Sequence, residues 1–128
     1  MIEARRGDLV LVAFPFVGEG GLGRKRRPAV VVQSDRYRSR AAVILAAITS
    51  SQKRRDLPCK VTVMRDSPQG RSAGLRTDSV VDCQTLITLP RSELVARLGS
   101  FPPETLTLID RALEDALALP GSAAAAEP

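Results

Sequence analysis

The segment DLVLVAFPFVGEGGLGRKRRPAVVVQ, residues 8–33, contains two apolar stretches separated by glycines and a run of cations. Its first part, DLVLVAFPF, alternates apolar side chains between two faces, which is typical of a β-strand that Pro15 terminates. The glycines at 18, 20, 21 and 23 predict a mobile loop without regular structure. Pro28 then begins a second strand, whose unbroken apolar residues indicate burial on both faces. The segment therefore predicts a buried sheet with a cationic run at its entrance, formed by Arg24, Lys25, Arg26 and Arg27.

The rest of the chain predicts further short strands. Their apolar or alternating patterns cover residues 41–49, 59–65 and 78–89, the second of these being typical of an edge strand. The alanines of the first leave a short helix open as an alternative. Residues 93–99 fit either a sixth strand or a single helical turn. The chain thus contains several short strands at intervals of about ten residues, which suggests a strongly bent antiparallel sheet or barrel.

The pattern changes near the C-terminus. Residues 103–119 place apolar side chains at helical spacing, and Pro102 and Pro103 suit a first turn. These apolar residues are Leu106, Ile109, Leu113 and Leu117. The low-complexity residues 120–128 predict a disordered tail. We therefore expect one mainly β domain over residues 1–119, closed by a C-terminal α-helix.

Composition excludes several kinds of site. The 128 residues include no histidine and two cysteines, too few ligands for a tetrahedral zinc site or a disulfide framework. Without histidine, neither a Ser-His-Asp nor a Cys-His relay can be built. The sequence has no apolar segment of membrane-spanning or signal-peptide length, so we expect a cytoplasmic protein with reduced thiols. GEGGLG leads into a strand, so it lacks the helix N-terminus of a nucleotide-binding loop.

The net charge of +5 is unevenly distributed. Up to residue 100 the chain has 18 Lys and Arg against 9 Asp and Glu, whereas residues 101–128 have one Arg against five acids. A basic body favours an anionic partner such as nucleic acid, although solvated basic surfaces without that function are common. Because only 3% of residues are aromatic, few side chains are available to stack on bases.

Two short motifs are candidates for chemistry. In the first, Pro28 fixes the backbone behind Arg27, which holds a planar, permanently charged guanidinium where a phosphate can bind. The alternative is a solvated charge run that keeps a sheet edge soluble. In the second, ITSSQ, residues 48–52, gathers hydroxyls and an amide where a strand ends. Strand ends also carry such residues simply as turn formers.

Five motifs, taken in order, resemble those of the MazF/PemK toxins of type II toxin–antitoxin systems. They are RGDLVLVAFPF, RRPAVVV, VILAAITSSQ, AGLRTDSVVDCQTLITL and RLGSFPPETL, within residues 6–117. The resemblance implies a small SH3-like antiparallel barrel with a C-terminal α-helix and a homodimer. It also implies cleavage of single-stranded RNA at short preferred sequences, without metal or cofactor, and a cognate antitoxin that blocks the site.

The resemblance also assigns residues. Arg27 and Thr49 correspond to the catalytic positions of the family. The 2′-hydroxyl of RNA is its own nucleophile, so Arg27 would stabilise the phosphorane-like transition state and Thr49 would bind a phosphate oxygen, leaving a 2′,3′-cyclic phosphate. Because ITSSQ is one serine longer than the usual ITSQ, Ser50 is an alternative hydroxyl. The expected RNA-binding residues are Arg24, Lys25, Arg26, Ser50, Lys53, Gln84 and Phe16, with Arg54 and Arg55 extending the same track.

Two other functions remain open for the same fold. Gyrase-binding toxins of the CcdB type share the architecture without RNase chemistry and act through the C-terminal helix. A degenerate toxin retained as an RNA-binding or antitoxin-binding regulator is the other alternative. The ordered presence of RRP and ITS favours the nuclease.

Overall fold

In a computed structural model, which describes residues 2–18 and 21–126, the chain forms six strands, two α-helices and three short 3-10 helices. Side chains are described for all of these residues except 14–18, 21, 22, 24, 125 and 126. The strands are β1 (Asp8–Gly18), β2 (Gly21–Val31), β3 (Ala42–Thr49), β4 (Lys60–Val63), β5 (Ser79–Pro90) and β6 (Leu94–Ser100). The α-helices are α1 (Pro68–Ala73) and α2 (Pro103–Leu117), and the 3-10 helices are Asp35–Tyr37, Arg91–Glu93 and Ala123–Ala126.

The strands form one antiparallel sheet in the order β4-β5-β3-β2-β1-β6. A mainly β fold with a C-terminal helix is therefore confirmed, as is the edge position of β4. We predicted a strongly bent antiparallel sheet or a small barrel. The sheet is open rather than closed, because in the described part of the chain the outer strands β4 and β6 pair only with β5 and β1. The helices lie near these outer strands, with α2 against β4 and β5 and α1 against β6.

The glycine-rich segment is a hairpin rather than the mobile loop that we predicted. β1 and β2 remain paired as far as Gly18 and Gly21. Hydrogen bonds between the two strands satisfy the backbone N–H and C=O groups of this stretch, and this outweighs the preference of its glycines for a loop. The predicted loop residues 19 and 20 lie outside the described residues. The cationic run accordingly lies within β2 and not on a flexible connection.

Pro15 and Pro28 lie inside strands, where we expected them to end one and begin the other. Each occupies a stretch that is paired on one side only. Pairing of β1 with β6 ends at Val12, and pairing of β2 with β3 reaches only to Ala29. A residue without an N–H group is tolerated there, because that edge of the strand has no ladder to interrupt.

The sheet buries apolar side chains on both faces. On one face Leu9, Val30 and Ile48 of the sheet pack in one cluster with Ile109 of α2. The other face includes Val10, Val12, Val31, Val43, Leu45 and Leu89. Burying a large aliphatic side chain stabilises a fold by roughly 1.5–3 kcal/mol, so these two clusters hold the strands in register.

Helix α2 begins at Pro103 after Pro102, as predicted. Leu106 and Leu113 pack with Ile109 against the core, but Leu117 is exposed because it lies in the last turn. Within the described residues no helix is both long and apolar enough to span a bilayer.

Helix α1 was not predicted, although SPQGRSAG carries its signals. Ser67 Oγ accepts a hydrogen bond from the Gly70 N–H, Pro68 occupies the first turn, and Gly74 ends the helix at φ 74°. A Cβ on Gly74 would lie 2.4 Å from the carbonyl oxygen of Leu98, so glycine permits the close approach of α1 to β6. The stretch 93–99, left open between strand and helical turn, is the end of a 3-10 helix followed by β6.

Candidate active site

Four neighbouring strands align one row of residues on the same face of the sheet. Ala29 on β2 pairs with Ala47 on β3, which pairs with Asp82 on β5, which pairs with Lys60 on β4. Residues directly opposite one another in a sheet point to the same face. This row marks where the apolar face becomes polar.

Arg27 and Thr49 lie one step beyond this row. Arg27 is two residues before Ala29 and Thr49 is two residues after Ala47, so both belong to the face of the row. Because β2 and β3 are antiparallel, the two residues lie toward the same end of the sheet. The register therefore brings together the two positions that the resemblance assigns to catalysis.

A cavity of about 380 Å³ opens at this end of the face. Its lining includes Arg27, Thr49 and Lys53, three of the residues expected to act on or bind RNA. The remaining lining residues are Pro28, Ala47, Ile48, Ser51, Arg54, Lys60, Asp82 and Thr85. Four cations thus surround a space that contains one carboxylate, an arrangement that favours an anionic ligand such as a phosphodiester.

The Thr49 hydroxyl is oriented by its own turn. Its Oγ1 accepts a hydrogen bond of 3.1 Å from the backbone N–H of Ser51. Because this bond uses a lone pair of the oxygen, the hydroxyl proton remains able to donate to a ligand. Ser50, the alternative hydroxyl, is exposed and does not line the cavity. The geometry therefore favours Thr49 as the hydroxyl at the site.

The loop that follows Thr49 contributes two cations, Lys53 and Arg54, to the lining of the cavity. Lys60 Nζ donates to the carbonyl oxygen of Lys53 at 3.3 Å, which ties the loop to β4. Arg54 has a φ of 55°, in the left-handed region that non-glycine residues seldom adopt. Arg55 does not line the cavity but donates to Gln52 Oε1 at 3.2 Å. The loop thus directs Lys53 and Arg54 to the site and Arg55 toward its own turn.

The cationic run is divided by the alternation of β2. Lys25 shares a face with Arg27, whereas Arg26, whose side chain is exposed, belongs to the other face. The side chains of Arg24 and Phe16, two further expected RNA contacts, lie outside the described residues. Of the described cations of the run, Lys25 and Arg27 therefore belong to the face of the cavity and Arg26 to the other face.

Strand β5 contributes Asp82 and Thr85 to the cavity, and its pairing with β3 is irregular at this point. Ala46 pairs with Leu86 while Ala47 pairs with Asp82, so residues 83–85 have no counterpart in β3. Gln84 is exposed and does not line the cavity. Its backbone N–H donates to Asp82 Oδ1 at 3.0 Å, and Thr85 Oγ1 donates to Asp82 Oδ2 at 2.9 Å.

Sequence reasoning missed Asp82, Thr85 and Lys60. A partial signal was present, because Asp82 interrupts the apolar run of β5 and Lys60 begins the alternating strand β4. Only the cross-strand register shows that the two side chains meet on the face of Arg27 and Thr49.

Neither cysteine is available as a nucleophile. Cys59 and Cys83 are free thiols and both are buried. Burial raises the pKa of Cys83 to about 12, and the negative charge of Asp82 acts in the same direction. Burial also raises the pKa of Cys59. Since the thiolate is the reactive form, both thiols are inert near neutral pH.

Over residues 2–18 and 21–126, no cluster of three or more His, Cys, Asp or Glu side chains is placed to hold a metal ion. The polar side chains that line the cavity are four cations, three hydroxyls and one carboxylate.

The sequence of this chain matches a family of known proteins and individual relatives. The model of the family described as PemK-like, MazF-like toxins of type II toxin–antitoxin systems matches residues 5–117. Endoribonuclease MazF6 of Mycobacterium tuberculosis is 34% identical over 102 residues, which cover 78% of this chain and 85% of that protein.

Solved structures share the fold. An endoribonuclease from a mycobacterial species superposes with a TM-score of 0.70 at 23% identity, covering 94% of this chain and 96% of that one. A mycobacterial endoribonuclease in complex with its cognate antitoxin gives a TM-score of 0.69 at 24% identity, with 91% and 97% covered.

Proposed function

Because the chain belongs to the family of PemK-like, MazF-like toxins of type II toxin–antitoxin systems, we propose that it is an endoribonuclease that cleaves single-stranded RNA. Cleavage requires no metal ion and leaves a 2′,3′-cyclic phosphate. The observation that carries the proposal is the cavity at which Arg27, Thr49 and Lys53 converge. The relatedness to proteins named endoribonucleases supports the same reaction.

In the proposed reaction the RNA supplies its own nucleophile. The 2′-hydroxyl loses its proton to solvent as its oxygen bonds to the adjacent phosphorus, and the bond from phosphorus to the 5′-oxygen breaks. Negative charge develops on the non-bridging oxygens and on the departing 5′-oxygen, which takes a proton from solvent. Arg27 stabilises that charge and Thr49 donates its hydroxyl proton to a phosphate oxygen, which holds the phosphate in place. Removing one preorganised donor to developing charge typically slows an enzyme by about 10²–10³.

The other cations bind the RNA backbone. Lys53, Arg54 and Lys60 line the cavity, and Lys25 lies on the same face of β2 as Arg27. Neutralising phosphates releases condensed counterions, so binding through these cations weakens as salt rises. Ser50 and Gln84, exposed beside the cavity, remain predictions of RNA contacts.

The proposal includes the partners that this family implies. We propose a homodimer that is inhibited by a cognate antitoxin and acts on RNA in the cytoplasm. The structural similarity to an endoribonuclease in complex with its antitoxin is consistent with such a partner.

The test is cleavage of unstructured RNA by purified protein in excess EDTA, followed by sequencing of the cut ends. A cyclic phosphate resists phosphatase until acid opens the ring, so phosphatase treatment before and after acid identifies the product. Arg27→Ala protein prepared in parallel controls for contaminating nucleases. The proposal predicts EDTA-resistant cleavage with cyclic ends. Loss of cleavage in EDTA, ends with 3′-hydroxyls, or equal cleavage by the Arg27→Ala protein would contradict it.

A further inference from the structure

A second cavity, of about 480 Å³, opens near the start of strand β3, away from Arg27 and Thr49. Ala41 in its lining directly precedes β3, whereas Thr49 is the last residue of that strand. A strand of 8 residues is roughly 25 Å long, so the two cavities cannot hold the same phosphate group. We call the second cavity the distal pocket. It is lined by Ile2, Glu3, Arg38, Ser39, Arg40, Ala41 and Arg91.

Arg91 brings a buried guanidinium to the distal pocket. The residue is only 5% exposed, and its backbone N–H donates to the carbonyl oxygen of Ala41 at 2.7 Å. Its Nε donates to the carbonyl oxygen of Arg40 at 2.9 Å, and its Nη1 donates to that of Ala4 at 3.2 Å. Because both acceptors of the side chain are backbone groups, the guanidinium is held in a fixed position.

Part of this guanidinium has no partner within the described chain. An arginine side chain has five N–H donors, and the two bonds to backbone carbonyls leave both N–H groups of Nη2 without an acceptor among the described residues. No carboxylate of these residues forms an ion pair with Arg91. Since the described residues include no fully buried side-chain nitrogen without a partner, Nη2 must reach accessible space, and Arg91 lines the distal pocket. A buried charge without a counter-charge is costly, and an anion bound in the pocket would offset that cost.

One loop supplies the other donors of the distal pocket. They are the exposed side chains of Arg38, Ser39 and Arg40. Gln33 Nε2 lies 3.2 Å from the carbonyl oxygen of Tyr37 and 3.4 Å from that of Ala42, so it ties the two ends of this loop together. The loop therefore keeps two further guanidinium groups and a hydroxyl beside Arg91.

The charges of the lining favour an anion. Three guanidinium groups face one carboxylate, that of Glu3, which leaves a net charge of two positive units. Glu3 is exposed, so its carboxylate can turn to solvent, whereas Arg91 is buried and cannot. A phosphomonoester carries about −1.5 to −2 charges at pH 7, which matches this excess.

We propose that the distal pocket is a second anion-binding site, which binds the phosphate dianion of inorganic phosphate or of a phosphomonoester. The donors of a guanidinium match the spacing of phosphate oxygens. Because Arg91 is almost fully buried, the anion must project into the pocket to reach it. A terminal phosphate group does so, whereas a phosphate inside an RNA chain carries a ribose on each side. This inference does not rest on the proposed nuclease function.

The experiment is calorimetric titration of the protein with sodium phosphate at constant ionic strength. It uses the full chain with Arg27→Ala, so that the cation of the first cavity does not contribute. We expect saturable binding at one site per chain. Arg91→Lys in the same background keeps the charge but removes the planar fork, and it should weaken phosphate binding at least about tenfold.

Arg40→Gln keeps the proposal testable if Arg91→Lys does not fold. The Arg40 side chain is exposed and its backbone oxygen still accepts from Arg91, so the fold should persist while phosphate binding weakens about threefold to tenfold. Arg36→Gln is the matched control, because Arg36 is an exposed cation close by in sequence that does not line the pocket. It should leave the Kd within about twofold. Glu3→Gln removes the opposing carboxylate and should tighten binding by about twofold to fivefold.

Further titrations identify the source of the phosphate. Adenosine 5′-monophosphate is compared with adenosine, and a short 2′-O-methyl RNA with a 5′-phosphate is compared with the same RNA bearing a 5′-hydroxyl. The phosphorylated member of each pair should bind more tightly, and the Arg91→Lys protein should lose that preference. If inorganic phosphate binds as tightly as either phosphorylated probe, the site recognises the free anion, and tighter binding of one probe identifies a nucleotide or an RNA end as the source.

Three results would overturn the proposal. One is the absence of saturable phosphate binding in the Arg27→Ala protein. Another is binding that Arg91→Lys and Arg40→Gln leave unchanged, which would place the anion elsewhere. The third is equal weakening by Arg40→Gln and Arg36→Gln, which would mean that phosphate responds to general surface charge. Each result can be obtained whether or not the protein cleaves RNA, so a failure here is distinct from a failure of the nuclease function.

Discussion

One face of the sheet has two ends with opposite chemistry. At one end Val31, Val43, Leu45 and Leu89 are buried together, and at the other Arg27, Thr49 and Asp82 line an open cavity. On β2 and β3 both sets occupy alternate positions, so there the alternation continues across the boundary while the side chains change from aliphatic to polar or charged. On β5 the irregularity at residues 83–85 lies between Asp82 and Leu89.

The difference arises from strand pairing. At the apolar end β3 is flanked by β2 and β5, whereas beyond Ala29 and Ala47 the strands β2 and β3 no longer pair. At nearly the same level the register of β5 shifts against β3. Where neighbouring strands diverge, side chains between them cannot close a dry core, and water or a ligand enters. The cavity is thus a consequence of where pairing stops.

Arg27→Ala should produce the largest functional effect. We expect cleavage to slow by roughly 10²–10³, the range for removing one donor to developing charge. The free energy of unfolding should hardly change, because the Arg27 side chain is exposed. The measurements are single-turnover cleavage and urea unfolding.

Arg26→Ala is the control for Arg27→Ala. Arg26 is the adjacent exposed cation of β2, but it belongs to the opposite face. Equal losses of cleavage in the two variants would contradict a specific role for Arg27. They would show that cleavage depends on the total positive charge of β2 and not on the face that carries it.

Leu45→Ala tests the apolar end of the same face. Leu45 is fully buried, so truncation should lower the free energy of unfolding by about 2–5 kcal/mol. Ile44→Ala, on the opposite face of β3 and 38% exposed, should cost distinctly less. Urea unfolding measures both. If Leu45→Ala leaves stability unchanged, the two ends do not differ in packing as described.

The sequence was sufficient for the features that depend on local pattern. The strands, the start of α2 at Pro103 and the pair Arg27 and Thr49 each follow from consecutive residues or from an ordered set of motifs. The predicted end of β1 at Pro15 and the predicted start of β2 at Pro28 were wrong for a related reason. Pro15 and the glycines are local signals for a turn, and the pairing of β1 with β2 overrides them.

The residues that could not be predicted depend on register. Lys60 and Asp82 are 22 positions apart in the sequence and become neighbours only because β4 pairs with β5 at that point. Thr85 reaches the cavity because of the irregularity in β5, which no local pattern marks. A single change of register by one residue would turn Asp82 to the other face.

Thr49→Val should have a smaller functional effect than Arg27→Ala. Valine keeps the β-branched shape and removes only the hydroxyl, so the strand end should remain intact. We expect cleavage to slow at least about tenfold, which corresponds to roughly 1.4 kcal/mol of transition-state stabilisation. The loss of the turn hydrogen bond from the Ser51 N–H should cost at most about 1 kcal/mol of stability.

Ser50→Ala accompanies Thr49→Val and identifies the hydroxyl that acts. Ser50 is exposed and lies outside the cavity lining, so its substitution should leave cleavage nearly unchanged. The reverse result, with normal cleavage by Thr49→Val and slow cleavage by Ser50→Ala, would mean that the longer ITSSQ motif shifts the catalytic position by one residue. Normal cleavage by both would place the chemistry elsewhere.

Lys53→Gln should have the smallest effect, and the effect should be on binding. Lys53 lines the cavity, so its loss should remove about one phosphate contact, and each contact to single-stranded nucleic acid contributes roughly 0.7 to the slope of log K against log salt. Arg26→Gln also removes one exposed cation, but from the face away from the cavity, and should leave the slope unchanged. Titration of a non-cleavable 2′-deoxy-substituted RNA at several salt concentrations measures both slopes. Equal reductions would mean that RNA contacts both faces of β2, and the charged end of the sheet would then extend around the hairpin rather than stop at the cavity.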